Sequence, residues 1–303
     1  MGLIIGNVRL QRDMGNTATT LTEDIKFDFT CNQLHADYFC SKDTASAATL
    51  QNMVDKVTQV RINTTNGTPE STIDGDDLYD FSAVALKTPR FATVVTNTLR
   101  IPHAFGMSYP FNPFIREPLR PFGLPAGKGV QFVQDLAADV TQQYDSFVYD
   151  LTLEGVASSD QTTGGYVKFT QDSFTSGAVN SIRDTTVSGN RLLGVYNFET
   201  TCFDDLAASA ANDVTGIRQQ SITFSDNPVF NYKISRTWAM QDVLKTTASP
   251  AMVLDLGHSF EDFGALNNNN VLGIDIRGKQ VKIKTTAGVA SEATRVYGVS
   301  LVS

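Results

Sequence analysis

The chain has 303 residues, enough for about two domains that could each bury a core without disulfides or metals. A formal net charge of −8 and a pI near 4.9 argue against the basic field of a general nucleic-acid binder or a polybasic membrane patch. Charged residues make up 18%, below the roughly 25% usual in soluble proteins, so the polar surface falls to Thr, Ser, Asn, Gln and Asp. These are strand and turn residues, and the composition leans all-β.

In chain order, residues 1–20 read as a polar, glycine-containing arm without a clear period. The run Leu3-Ile4-Ile5 is too short and wrongly flanked for a secretory signal, and no window reaches the ~18 apolar residues of a membrane span. Residues 25–30 alternate, with Ile25, Phe27 and Phe29 on one face, and are expected as a strand; 45–54 has modest helical character. Residues 57–62 alternate again. Asn66-Gly67 is a hairpin-type turn signal, a second short strand should run through Ile73, and Asp74-Gly75-Asp76-Asp77 should turn. Residues 91–101 read as a strand rich in Val and Thr.

From Tyr109 to Pro125, five prolines lie among Tyr109, Phe111, Phe114 and Phe122. Proline fixes φ and removes a donor, so this stretch is expected as an ordered loop, packed on its own domain or against a neighbouring subunit. Residues 130–136 and 147–153 look like a strand pair. Residues 157–165 are small and polar and read as a linker. Beyond it, strands are expected at 166–170, 192–198, 221–224, 229–234, 271–276, 281–284 and 295–302, short helices at 238–244 and 259–266, and a turn at Asn267–Asn270.

Two echoes link the halves. Val148-Tyr149-Asp150-Leu151-Thr152-Leu153 and Val296-Tyr297-Gly298-Val299-Ser300-Leu301 share the form Val-Tyr-x-aliphatic-hydroxyl-Leu, and each alternates as a half-buried strand does. Upstream, Phe27-Asp28-Phe29-Thr30-Cys31 resembles Phe198-Glu199-Thr200-Thr201-Cys202. Their common order predicts one β domain used twice, with the proline–aromatic loop inserted in the first copy. The expected fold is all-β: two tandem jelly-roll-like antiparallel sandwiches with a few short helices, an arm at 1–20, sandwiches at 21–156 and 166–303, and the linker between. An immunoglobulin-like reading is weakened by the missing Cys…Trp…Cys spacing around the single Trp238.

Chemistry-bearing motifs are weak. Gly123 to Gly129 lacks the spacing, the hydroxyl after Lys128 and the helix of a phosphate-binding loop. Cys31, Cys40 and Cys202 are an odd set without metal spacing, expected as free thiols in a reducing cytosol. His35 between Cys31 and Cys40 would still lack a fourth zinc ligand, and His103 and His258 stand apart. Asp74, Asp76 and Asp77 invite a calcium reading without the rest of an EF-hand loop, and Asp204-Asp205 and Glu261-Asp262 read as surface or helix-terminal charge. No catalytic, cofactor or metal residue is assigned.

The strand–Asn-Gly–strand–turn passage, Val57-Thr-Gln-Val60-Arg-Ile62-Asn-Thr-Thr-Asn66-Gly67 and then Ile73-Asp-Gly75-Asp-Asp-Leu78, resembles that of double jelly-roll major capsid proteins of tailless icosahedral, often membrane-containing, bacterial and archaeal viruses. The resemblance covers the overall plan, with size, acidity and duplication. It implies a non-enzymatic structural protein of the virion, made in the host cytoplasm. Homotrimers would pack against neighbouring capsomers, minor or vertex proteins and an internal membrane, without specific nucleic acid and without cofactors. The competing class is a β-sandwich binding module, carbohydrate- or receptor-binding and spike-like. A sandwich glycosidase is a third.

Overall fold

The computed structural model describes residues 3–6, 12–13, 17–26, 28–42, 55–64, 69–78, 81, 100–110, 130–138, 144–156, 166–199, 217–233, 258–263 and 273–302. The chain divides into two compact units, Met1–Val167 and Lys168–Ser303.

The first unit contains β1 (Leu3–Gly6), β2 (Arg12–Asp13), β3 (Thr19–Ile25), β4 (Thr30–Lys42), β5 (Val57–Thr64), β6 (Pro69–Asp74), β7 (Arg100–Pro110), β8 (Val130–Leu136) and β9 (Tyr144–Val156). One sheet has the order β1-β9-β4-β7, with β2 also on β9; the other is β3-β8-β5-β6. The second unit contains β10 (Tyr166–Thr175), β11 (Ile182–Val187), β12 (Arg191–Glu199), β13 (Ile217–Phe224), β14 (Asn227–Lys233), β15 (His258–Asp262), β16 (Ile274–Asp275), β17 (Val281–Ala287) and β18 (Ala293–Val302). Its sheets are β10-β18-β12-β15, with β16 on β12, and β11-β17-β13-β14. β10 belongs with this unit by its pairing to β18.

With the short β2 and β16 set aside, the two units are the same eight-stranded figure. The chain changes sheet in the same order in each, which is the jelly roll. The fold is all-β, two jelly rolls in tandem. β9 and β18 hold the same place, second strand of the first sheet, so the first echo falls on topologically equivalent strands.

The residues themselves are not equivalent. Tyr149 Oη donates to Glu23 Oε1, 2.8 Å away on the opposing sheet, so Tyr149 points into its sandwich. In β18, Val296 belongs to the core between the sheets. A Cβ at Gly298 would lie 2.8 Å from Val187 Cγ2 and 3.4 Å from Ile283 Cδ1 of the opposing sheet. Successive strand residues alternate, so Tyr297 points away from the opposing sheet. The motif has slipped by one residue relative to its core, which reverses every side chain. Tyr297 and its register partner Tyr196 are nonetheless fully buried, as are Val299 and, almost entirely, Leu301. β18 is covered on both faces, and a two-faced strand accepts either phase of the motif.

The second echo does not map. Thr30 and Cys31 open β4 whereas Phe198 and Glu199 close the equivalent strand β12, so the likeness sits at opposite ends. Nor is the proline–aromatic stretch an insertion. The connection containing it has 19 residues (111–129), against 18 (263–280) at the matching place in the second unit.

Alternation explains most strands. β17 buries every second residue from Val281 to Ala287, and β8 buries Val130, Phe132, Gln134 and Leu136. Where polar residues take inward positions the sequence misleads. Residues 25–30 do not form one strand: Ile25 ends β3, Asp28 and Phe29 are bends, and Thr30 opens β4. The preceding strand was hidden because its inward row, Leu21, Glu23, Ile25, includes a carboxylate. The expected arm at 1–20 contributes Leu3–Gly6 and Arg12–Asp13, both paired with β9, and the first residues of β3. β8 and β9 are not a pair but lie in opposite sheets. The expected helix at 259–266 begins as strand β15, paired Tyr196↔Phe260; Phe260 and Phe263 have helical spacing, but pairing to β12 decides. β11 was not anticipated, because only Thr185 and Val187 of its six residues are buried. The 271–276 strand shrinks to Ile274–Asp275. The expected elements at 45–54, 238–244 and 267–270, and all of 91–101 but its last two residues, lie outside the described residues, as does 157–165.

Candidate functional site

The predicted candidates are dispersed by the fold. Cys31, His35 and Cys40 lie along the single strand β4. At ~3.3 Å per residue the two cysteines are roughly 30 Å apart, so Cys31-x3-His35-x4-Cys40 cannot close on one metal ion, nor can the cysteines form a disulfide. His103 lies in β7 opposite Phe39, in a bulge where three residues of β7 face one of β4. His258 opens β15 in the other unit. Tyr109 and Pro110 end β7, paired with Leu34 and Gln33, on the sheet's edge where proline is tolerated. Phe111, Phe114, Phe122, the glycine-rich stretch Gly123 to Gly129, Cys202 and Asp204-Asp205 lie outside the described residues.

The acidic triplet is brought together: carboxylate oxygens of Asp74, Asp76 and Asp77 lie within 4.8 Å of one another. Its local bonds are those of a turn. Asp74 Oδ1 accepts from Gln59 Nε2 at 3.2 Å and Asp76 Oδ1 from the Asp77 amide at 2.9 Å, over one helical turn at residues 75–78. Gly75 is required there by close approach, since a Cβ would stand 1.9 Å from the Val57 carbonyl oxygen. Glu261 is buried within β15, not displayed at a helix end.

Polar chemistry inside each sandwich serves to join its sheets. In the first unit Tyr38 and Tyr149 are register partners on β4 and β9, with ring centroids 6.2 Å apart. Tyr38 Oη donates to Gln134 Oε1 of β8, as Tyr149 does to Glu23 of β3. In the second, Asn197 and Gln220 exchange two amide bonds of 3.0 and 2.8 Å, and Gln220 Nε2 also reaches Thr285 Oγ1 at 3.1 Å. The amide pair crosses from β12 to β13 and the third bond runs on from β13 to its sheet neighbour β17, all between residues that are fully or nearly fully buried. Such groups stabilise only when paired, because a buried orphan costs about 1–3 kcal/mol.

One edge of the second sandwich is latched. Asp172 of β10 accepts from Arg183 Nε and Nη2 at 3.0 and 2.9 Å and from Thr185 Oγ1 at 2.9 Å, both on β11. Partial burial raises the Asp172 pKa, but the bonds from Arg183 and Thr185 outweigh it and hold the carboxyl below its usual value. Arg183 also lies over the Phe174 ring, 5.6 Å from its centroid. On the outer face of β17, Lys282 and Lys284 pair with Asp184 and Asp226 at 3.2–3.4 Å. Charge here is spent on neighbours within the same sheet.

Two features concern the surface. In each unit two long connections leave the same end, because β5–β6 and β13–β14 are antiparallel neighbours: 43–56 and 75–99 in the first, 200–216 and 234–257 in the second, whereas the long connections 111–129 and 263–280 leave the opposite end. At the end of the second unit from which 200–216 and 234–257 leave, the short connections 176–181 and 288–292 are hydrogen-bonded to each other. Ser176 Oγ donates to the Val289 carbonyl at 2.7 Å and accepts from the Glu292 amide at 2.9 Å, beside the exposed Val179 and Ile182. The inter-sheet amides and the Asp172 latch were not singled out from sequence; the signal was a polar residue at an inward strand position, as Gln220 is in Ile217-Arg-Gln-Gln-Ser-Ile222.

No protein-family model matches the sequence, and no curated protein does. Solved structures match in fold. The crystal structure of the STIV MCP aligns with a TM-score of 0.68 at 9% identity, over 99% of this chain and 96% of that one. The PBCV-1 virus capsid aligns at 0.58 and 10% identity, covering 99% and 93%. The major capsid protein P2 from bacteriophage PM2 aligns at 0.58 and 13%, covering 98% of both chains.

Proposed function

We propose that this protein is the major capsid protein of a tailless icosahedral virus, a structural, non-enzymatic component of the virion made in the host cytoplasm. One observation carries the reading: a single chain contains the same jelly-roll strand order twice, and its fold aligns with capsid proteins over nearly their whole length. A shell protein functions by burying surface against copies of itself, so it needs repeated faces and no active site. Two sandwiches per chain give a trimer six similar walls, a pseudo-hexagonal block that tiles a closed shell. We assign residues 3–156, β1 included, and 166–303 to the two walls and 157–165 to the connection between them. The ends from which 43–56, 75–99, 200–216 and 234–257 leave face outward, and the opposite ends face minor proteins or an internal membrane. Neither wall contacts nucleic acid specifically.

The test is solution mass by light scattering with negative-stain imaging of the purified chain. A particle of three times 33.0 kDa that forms hexagonal sheets or shells is expected. A 33.0 kDa monomer at all concentrations, binding glycans, would overturn the proposal in favour of the spike-like binding module.

A further inference from the structure

The two sandwiches satisfy their buried amides differently. Gln220 in the second unit has protein partners on both ends of its amide. Gln134, fully buried in the first, has Tyr38 on its Oε1, while its Nε2 meets no hydrogen-bonding atom among the described residues. Turning the amide over does not help. The Tyr38 hydroxyl can donate to the oxygen or accept from the nitrogen, and either way the other half of the amide is left over.

Gln134 and Glu23 both face inward, on adjacent strands. Phe132 pairs with Glu23 and Gln134 with Leu21, which makes Gln134 and Glu23 diagonal neighbours about 7–8 Å apart along the backbone. Their heads are joined to register partners, Tyr38 and Tyr149. Four polar side chains thus lie together inside the first sandwich. A buried amide half without a partner costs about 1–3 kcal/mol, and a water molecule with two to four polar partners removes that penalty.

We propose that the first jelly roll binds one ordered water molecule in this cluster, held by the half of the Gln134 amide that Tyr38 does not use and by the Glu23 carboxylate. A carboxylate has room for about four hydrogen bonds, so the Tyr149 bond does not exclude the water. The second jelly roll, whose own buried cluster is closed by Asn197, Gln220 and Thr285, has no such water. The inference is independent of the capsid reading.

The experiment is a structure of the full chain, and of the Tyr38→Phe/Gln134→Leu variant, at a resolution that shows ordered water. In the wild type a spherical peak is expected within ~3.2 Å of both Gln134 and Glu23, and no peak in the Asn197–Gln220–Thr285 cluster. In the variant the peak should be lost while the Tyr149–Glu23 bond persists. A Gln134 amide bonded at both ends to protein groups with no peak would overturn the proposal, and the wild type alone decides this if the variant does not fold. A peak unchanged in the variant would overturn the role of Gln134.

Discussion

Gly298→Ala tests the facing of β18 directly. The added methyl would stand 2.8 and 3.1 Å from the two γ-carbons of Val187 and 3.4 Å from Ile283 Cδ1. Val187 and Ile283 are buried in the core between the sheets, and a β-branched side chain has little rotameric freedom with which to yield. Overpacking of this kind costs about 1–3 kcal/mol, and the more restricted unfolded chain of alanine offsets about 0.4–1 kcal/mol of it. The net is a loss of about 1–2 kcal/mol, a Tm lower by roughly 3–8 °C for a unit of this size. Calorimetry or urea unfolding of the full chain, followed through the second unit's transition, reads it. In a Val187→Ala background the obstructing methyls are gone, so Gly298→Ala should be nearly neutral, a coupling of about 1 kcal/mol or more. A single variant as stable as the wild type, with no coupling to Val187, would mean that Gly298 does not face the opposing sheet. Tyr297 would then point inward like Tyr149, and the one-residue slip would be wrong.

Gln220→Leu should destabilise the second unit by about 1–3 kcal/mol, since it removes both bonds that Gln220 exchanges with the buried Asn197 amide; in urea unfolding, the further change Asn197→Leu should recover part of the loss. The Asp172 latch should make the second unit acid-labile. Its carboxyl is held below the usual 3.8, so its contribution is complete above about pH 4 and fades as pH falls through the lower folded value. Thermal unfolding against pH should show that decline, and Asp172→Asn should be less stable near neutrality with a flatter acid limb. Mild oxidation should not link Cys31 to Cys40, which peptide mapping under non-reducing conditions would show, because the two sit nine residues apart on one extended strand.

Much of the fold was legible where burial has a period of two. β5, β8, β17 and β18 could be read from Val, Ile, Phe and Tyr recurring at alternate positions, because a strand with apolar inward positions writes its core into its sequence. The same rule failed at β3, where Glu23 is inward and satisfied by Tyr149, a residue 126 positions away. It failed at β11, an edge strand with Ile182 outward, and at β15, whose spacing fits a helix until β12 pairs with it. Of the candidate sites, the Asp74–Asp76–Asp77 turn is local and was therefore readable, whereas the amide pair Asn197–Gln220 and the Asp172–Arg183 latch bridge sheets and exist only once the sandwich closes.

The sequence by itself determined that the chain is all-β, made of many short strands, and that Val148–Leu153 and Val296–Leu301 close its two halves. It contained no information about which way each of those strands would face. A Val-Tyr-x-aliphatic run suits either phase when both sides of a strand are covered, and only the neighbours in the sheet choose. Tertiary structure put Tyr149 inside the first sandwich and Tyr297 on the far side of β18 in the second. It made the strands equivalent and the residues not, because strand order is fixed by the path of the whole chain and register by whatever side chain the opposing sheet can accept, Glu23 in one case and Val187 against Gly298 in the other.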